Sequence, residues 1–316
     1  MINKNVSSLI VIIIGFSISF LISINNLNKY DKNIKDSEGK FYHQMIKYDA
    51  YRYHTHGEKI KNQLKKGTDF FETGREHYTK YLPPRLIAFY YYLFDYDLFN
   101  ENKELINTGI HLPYLVFQSF LYYFAIFLLL ITLSKTVDNK VSFFIISFLS
   151  LEPTIIQYHS SFWSESIFFS LQIIIISLIL KNKFTNYNFF LIGLFLALLS
   201  FQKEYSIFYI IPLLAYFFTF RKDLKIINLI SLFIAFFLVQ YILGYNNYKR
   251  SGSFYIMTAD SKLNLHIDLV SKVMSKKFNM TGKQFAVFEG KTALKWINQN
   301  SINLDKDKME KTMNQC

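Results

Sequence analysis

The sequence predicts an all-α fold: a polytopic membrane helical bundle of about seven transmembrane helices, with interfacial helices in its first outer loop. Three observations predict it. Of the 316 residues, 51% are hydrophobic and 19% aromatic, with a mean hydropathy of +0.17, which is more apolar side chain than a soluble domain of this size needs for its core. The apolar residues fall in long uncharged runs, such as 6–24, 112–133 and 226–245, each able to cross a hydrocarbon layer of about 30 Å as a helix. The basic residues between the runs keep to one side. Together these speak against an ordinary soluble enzyme.

In chain order, the run 6–24 follows a short amino terminus with one lysine, Lys4, and no small-x-small cleavage site follows it. It reads as a retained span and not as a signal peptide. Further spans are expected at 112–133, 141–158, 162–180, 187–201, 205–220 and 226–245. The fifth and sixth flank Gln202, Lys203 and Glu204 and read as a tight pair turning at or just inside the membrane surface. Lys135 and Lys140, then Lys181 and Lys183, then Arg221, Lys222 and Lys225 fall on the same side as Lys4, and the positive-inside rule makes that side the cytoplasm. The opposite face receives the loop 25–111, the turn 158–161, the turn at Lys203 and the tail 246–316. The domain organisation is thus a membrane module, 1–245, followed by a basic outer tail, 246–316.

The net charge of +12 does not imply nucleic acid, because its position matters more than its sum. The loop 25–111 carries fourteen Lys and Arg against twelve Asp and Glu, whereas the tail carries twelve against six. A basic tail beside a bilayer meets lipid phosphates. The one cysteine is Cys316, so an intrachain disulfide is ruled out.

Within the first loop Asp49, Tyr53, Gly57, Ile60 and Leu64 recur at helical spacing and share one face that ends at Gly67. Lys47, Lys59, Lys61, Lys65 and Lys66 occupy other faces, as expected of a helix lying on the membrane surface. A second helix is predicted from Pro83 and Pro84, since proline suits a first turn, with Leu86, Phe89, Tyr90 and Leu93 as its apolar stripe. Taken alone, Asp49 reads as a solvated carboxylate on an exposed helix.

The run from Asp49 through Tyr53, His54, Gly57 and Ile60 resembles the first-loop signature D-x-x-x-Y-H-x-x-(A/G)-x-x-(I/L) of the GT-C glycosyltransferases that use lipid-phosphate sugars. That superfamily includes the family 39 protein mannosyltransferases and the lipid A aminoarabinose transferase. Tyr81-Leu-Pro83-Pro84-Arg85 is similar to the family's Y-x-P-P element, without its later proline. Glu152-Pro153 and Ser164-Glu165-Ser-Ile-Phe are similar to its P and S/T-E-x-L/I-F elements. The stretch from Gly193 to Lys203 is similar to G-L-x-x-G-L-A-x-L-T-(R/K), lacking the second glycine and with two residues before the base. The likeness covers residues 1–255 and, more loosely, the segment around Tyr255 and Asn264. Family members usually continue with further spans, so the tail reads as the start of a truncated carboxy-terminal region, or the chain as a minimal version.

The resemblance implies an enzyme of the bacterial cytoplasmic membrane with its site facing the periplasm or exterior. A sugar would pass from a polyprenyl phosphate, with inversion, to the hydroxyl of a lipid, glycan or protein acceptor. An alcohol is a poor nucleophile near neutral pH, so a carboxylate must take its proton in the transition state. The resemblance assigns that role to Asp49, with Asp36 and Glu38 in reserve. The leaving phosphate gathers charge that a cation in a partly dry site stabilises. Lys203 is the candidate, its ordinary reading being a snorkelling anchor, and Arg85 is the candidate second contact. Glu165 lies near the outer end of an apolar span, where an ionisable group is expensive unless it pairs or binds something. Its open partners are Lys203, a sugar hydroxyl or a divalent cation. Glu152, near the middle of the third span, has a weaker claim. Tyr53 and His54 complete the substrate-binding set. His54 and His56 point to different sides of a helix, so no metal site is assigned to them.

Two readings from other classes compete. A flippase or transporter of lipid-linked precursors would show inverted repeats and helices broken in matching halves. An inactive, truncated scaffold would be indifferent to loss of Asp49.

Overall fold

The computed structural model of the chain describes residues 5–30, 33–35, 41–43, 46, 49–73, 81–98, 111–181, 185–221, 224–252, 254 and 256. The chain divides into two units, 1–258 and 259–316, and all the described residues belong to the first.

The helices in chain order are α1 (Val6–Tyr30), α2 (Asp49–Lys65), α3 (Leu82–Leu93), α4 (Leu112–Thr136), α5 (Asn139–Leu151), α6 (Pro153–His159), α7 (Glu165–Ile179), α8 (Asn186–Gln202), α9 (Ile210–Phe220) and α10 (Ile226–Ser251). Short 3-10 turns occupy Phe70–Glu72 and Glu204–Tyr209. The one departure from helix in the described secondary structure is an antiparallel pair, β1 (Asn33–Lys35) with β2 (Phe41–His43), in which Ile34 stands opposite Tyr42.

The apolar runs all become helical, because a backbone in hydrocarbon must satisfy its own polar groups. Val6–Lys29, Leu112–Thr136 and Ile226–Lys249 are long and apolar enough to cross a membrane, and α5 with α6 makes a fourth crossing if that bent pair is one span. Glu165–Ile179, Asn186–Gln202 and Tyr205–Phe220 are shorter apolar helices. These are the helices of a multi-pass membrane protein.

The run 141–158, expected as one span, bends by 49° between α5 and α6. Glu152 causes the break together with Pro153. The glutamate side chain accepts the Ile155 N–H at 2.7 Å, and the proline takes the first helical position, where no N–H is needed. Glu152 is therefore a helix cap in the bend, not an isolated carboxylate within a straight span.

Helix packing relies on small residues and shared hydroxyls, as expected where hydrocarbon gives no hydrophobic drive. A Cβ placed on Gly193 of α8 would overlap the Leu232 carbonyl oxygen of α10, so the glycine sets how closely these two helices approach. The Ser19 and Ser119 hydroxyls bond at 2.9 Å between α1 and α4, and Thr132 Oγ1 donates to the Ser177 carbonyl at 3.3 Å between α4 and α7.

In the first loop, α2 buries Tyr53, Gly57 and Ile60 as its spacing predicts. That stripe faces protein, not lipid: a Cβ on Gly57 would lie 2.7 Å from Ile87 Cγ2 of α3. Lys61, expected on a solvated face, is fully buried. On α3 the buried face is Ile87, Ala88, Tyr90 and Tyr91, while Phe89 and Leu93, expected inside, are 63% and 60% exposed. Tyr92 and Phe94 join them in an open aromatic face suited to a membrane surface. At the other end α10 runs to Ser251, past the expected boundary at 245, and stops at Gly252 with φ of 73°. Residues 257–316, which include most of the basic tail and Asn264, lie outside the described residues.

Candidate functional site

Lys203 and Glu165 meet at one end of the bundle. Glu165 opens α7, where the helix dipole favours a carboxylate. Lys203 follows the last residue of α8 in extended conformation, with φ of −140° and ψ of 110°, and its N–H donates to the Leu199 carbonyl at 2.9 Å. Gln202 joins the two helix ends, its Nε2 donating to the Ser164 carbonyl at 2.5 Å. The result is an ion pair between Lys203 Nζ and Glu165 Oε1, with side chains 16% and 20% exposed. Of the alternatives open for Glu165, the structure supplies Lys203. Such a pair, partly withdrawn from water, is a stronger electrostatic element than one on an open surface.

The neighbouring polar groups come from three helices. Gln240 of α10 donates to the Ser200 hydroxyl of α8, and both are buried. Gln202 and Gln240 are site-forming residues that sequence reasoning passed over, although a glutamine inside an apolar run is itself a signal.

Arg85 belongs to the same end. Its guanidinium lies 3.6 Å from the centre of the Tyr81 ring, and that ring packs edge-on to Phe201, two residues before Lys203, with centroids 4.9 Å apart. Arg85 also donates to the Asn246 side chain at 3.2 Å and to the Thr73 carbonyl at 3.4 Å. These contacts tie α3, α10 and the Phe70–Glu72 turn together.

Tyr53 and His54 are enclosed. His54 is fully buried, hydrogen-bonded through Nδ1 to the Tyr91 hydroxyl, and its ring stands 4.7 Å from Phe162 and 6.0 Å from His111. Burial pushes the Tyr91 hydroxyl well above its ordinary pKa. It keeps its proton and can donate to His54, which places the imidazole proton on Nε2. Phe162 precedes Glu165 by three residues, so this aromatic cluster seats α2 beside the loop that leads into α7. Asp49 is the first residue of α2. Its side chain, with Asp36 and Glu38, lies outside the described residues.

A second cluster, not foreseen, holds the outer helices together. Lys61 Nζ donates to Glu58 at 3.1 Å, to the Tyr96 carbonyl at 2.7 Å and to Asp97. Glu58 in turn accepts the Leu98 N–H at 3.3 Å. Among the described residues no group of three or more His, Cys, Asp or Glu stands together as metal ligands. Comparison with protein families, with curated proteins and with solved structures finds no match to this chain.

Proposed function

We propose that the chain is a glycosyltransferase of the GT-C kind, crossing a bacterial cytoplasmic membrane seven times and moving a sugar from a polyprenyl phosphate to an acceptor hydroxyl at the outer face. The observation that carries the reading is the partly exposed Lys203–Glu165 pair, held at the same end of the bundle as Arg85. The order of the motifs along the chain adds the base, Asp49, at the start of α2.

In this reading the acceptor hydroxyl attacks the anomeric carbon while Asp49 takes its proton. The bond to the lipid phosphate breaks on the opposite face, so the configuration inverts. Lys203 stabilises the charge gathering on the leaving phosphate. Glu165 orients Lys203 and accepts hydrogen bonds from sugar hydroxyls, and Arg85 braces the Tyr81–Phe201 contact beside them. Tyr53 and His54 act by seating α2, and so by fixing where Asp49 stands. The acceptor is a lipid, glycan or protein hydroxyl, and nucleic acid has no part.

The test is transfer of radiolabelled sugar from a panel of undecaprenyl-phosphate sugars in membranes carrying the chain or its Asp49→Asn variant. The variant keeps shape and removes the base, so transfer falls by about a hundredfold or more with insertion and expression unchanged. Retained turnover would sink the assignment of Asp49, and no transfer from any donor would sink the enzyme. The seven spans are checked by placing single cysteines at the loops in a Cys316→Ser background. Reagent access from the outside is expected near Lys203 and not near Lys135.

A further inference from the structure

A cavity of about 610 Å³ opens between α7, α8, α9 and the bent α5–α6 pair, a volume within the range of about 300–1,000 Å³ typical of ligand sites. Its wall on α7 is a stripe at helical spacing: Phe169, Ile173, Ile176 and Ile179. At about 1.5 Å per residue that wall runs for about 15 Å. Leu199 of α8 and Leu213 of α9 face it.

The position of the cavity is informative. Phe169 lies one turn beyond Glu165, and Leu199 lies one turn before Lys203, whose N–H it accepts at 2.9 Å. The cavity therefore begins one helical turn beneath the ion pair and runs away from it along α7. Water is a poor occupant, because it needs several polar partners and this lining is almost entirely apolar. The two polar side chains near the mouth answer each other, Gln172 Nε2 donating to the Tyr209 hydroxyl at 3.1 Å. Tyr209 ends the 3-10 turn that starts directly after Lys203. This rung joins α7 to the start of α9 and narrows the entry to the width of one chain.

We propose that the cavity seats the hydrocarbon chain of a single-chain lipid phosphate, a polyprenyl phosphate, with its phosphate at Lys203. An anionic head meets a cation at the mouth, and an apolar tail meets an apolar trough directly below. The proposal rests on the reading of Lys203 given above and adds the part of the donor that is recognised: the chain as well as the phosphate.

The test uses the full chain in lipid nanodiscs and measures binding of undecaprenyl phosphate, dimethylallyl phosphate and dioleoyl phosphatidic acid, without any sugar. Ile176→Trp fills the trough from a position that is 47% exposed, and Leu213→Phe is a second filling variant should the first not insert. Filling is expected to weaken undecaprenyl phosphate at least tenfold while leaving dimethylallyl phosphate unchanged, and Lys203→Gln to weaken both. Unaltered undecaprenyl phosphate binding in the filled variants overturns the proposal, as does phosphatidic acid binding equally well. Chain-dependent binding with no sugar transfer from any donor keeps the cavity assignment and removes the enzyme. Transfer that is indifferent to filling keeps the enzyme and removes the cavity.

Discussion

The outer helices and the outer end of the membrane bundle each hold a lysine against a glutamate, and they close around it to different degrees. Lys61 is fully buried, with Glu58, Asp97 and the Tyr96 carbonyl around its ammonium. Lys203 keeps 16% of its side chain exposed beside a Glu165 that keeps 20%. A charge enclosed by partners from α2 and from the segment after α3 fastens those segments. A charge left partly open at the mouth of an apolar trough stays within reach of a ligand.

The largest expected effect breaks this comparison at its first term. Lys61→Ala leaves a glutamate that is 7% exposed without its counter-charge, and breaking a buried pair from one side costs about 3–5 kcal/mol. Thermal unfolding of the purified chain should register that loss. Lys203→Ala should register much less of it while weakening lipid phosphate binding, because water still reaches Glu165. Equal destabilisation by the two variants would remove the distinction between a fastening charge and an accessible one.

A smaller effect sharpens the same contrast through packing. Alanine at Gly193 meets the backbone of α10 at Leu232, which cannot swing aside, and overpacking of this kind costs about 1–3 kcal/mol or more. Alanine at Gly57 meets chiefly the Ile87 side chain, with Cγ2 at 2.7 Å, and a rotamer change there relieves part of the clash. Melting temperatures should therefore fall further for Gly193→Ala than for Gly57→Ala. The reverse order would mean that α2 and α3 are the more tightly locked pair.

How far each region could be read from sequence follows from how local its causes are. Hydropathy is a local property, and each apolar run did become helix. The bend at Glu152–Pro153 was written in adjacent residues, a capping side chain followed by a first-turn proline, yet the run's length concealed it. The face of α2 was legible at Tyr53, Gly57 and Ile60 because 3.6-residue spacing is also local. Lys61 was not, since two of its partners, Tyr96 and Asp97, are 35 and 36 residues away. On the bundle side, Lys203 was among the open partners of Glu165 because a lone base and a lone acid in apolar surroundings need each other. The trough beneath them depends on how four helices are arranged, which no window of sequence contains.

The smallest expected effect concerns the turn that delivers Asp97 to Lys61. Beyond α3, Asp95 adopts a left-handed φ of 48°, a conformation aspartate tolerates better than most residues, and its carboxylate bonds to Lys65. That hydrogen bond holds the Asp95 carboxyl below the ordinary aspartate range and raises the Lys65 ammonium above the ordinary lysine range. For a depressed acid the contribution is complete above the unfolded pKa and is lost as pH falls through the folded one. For a raised base it is complete below the unfolded pKa and is lost as pH rises through the folded one. The contact is thus at full strength from mildly acidic to mildly alkaline pH, and both side chains lie at the surface, where salt screens them. An NMR titration should find the Asp95 carboxyl depressed, and Lys65→Ala should return it toward its ordinary value with little change in melting. An Asp95 that titrates normally, or a large melting shift in Lys65→Ala, would move the fastening role from the buried Lys61 cluster out to this exposed pair.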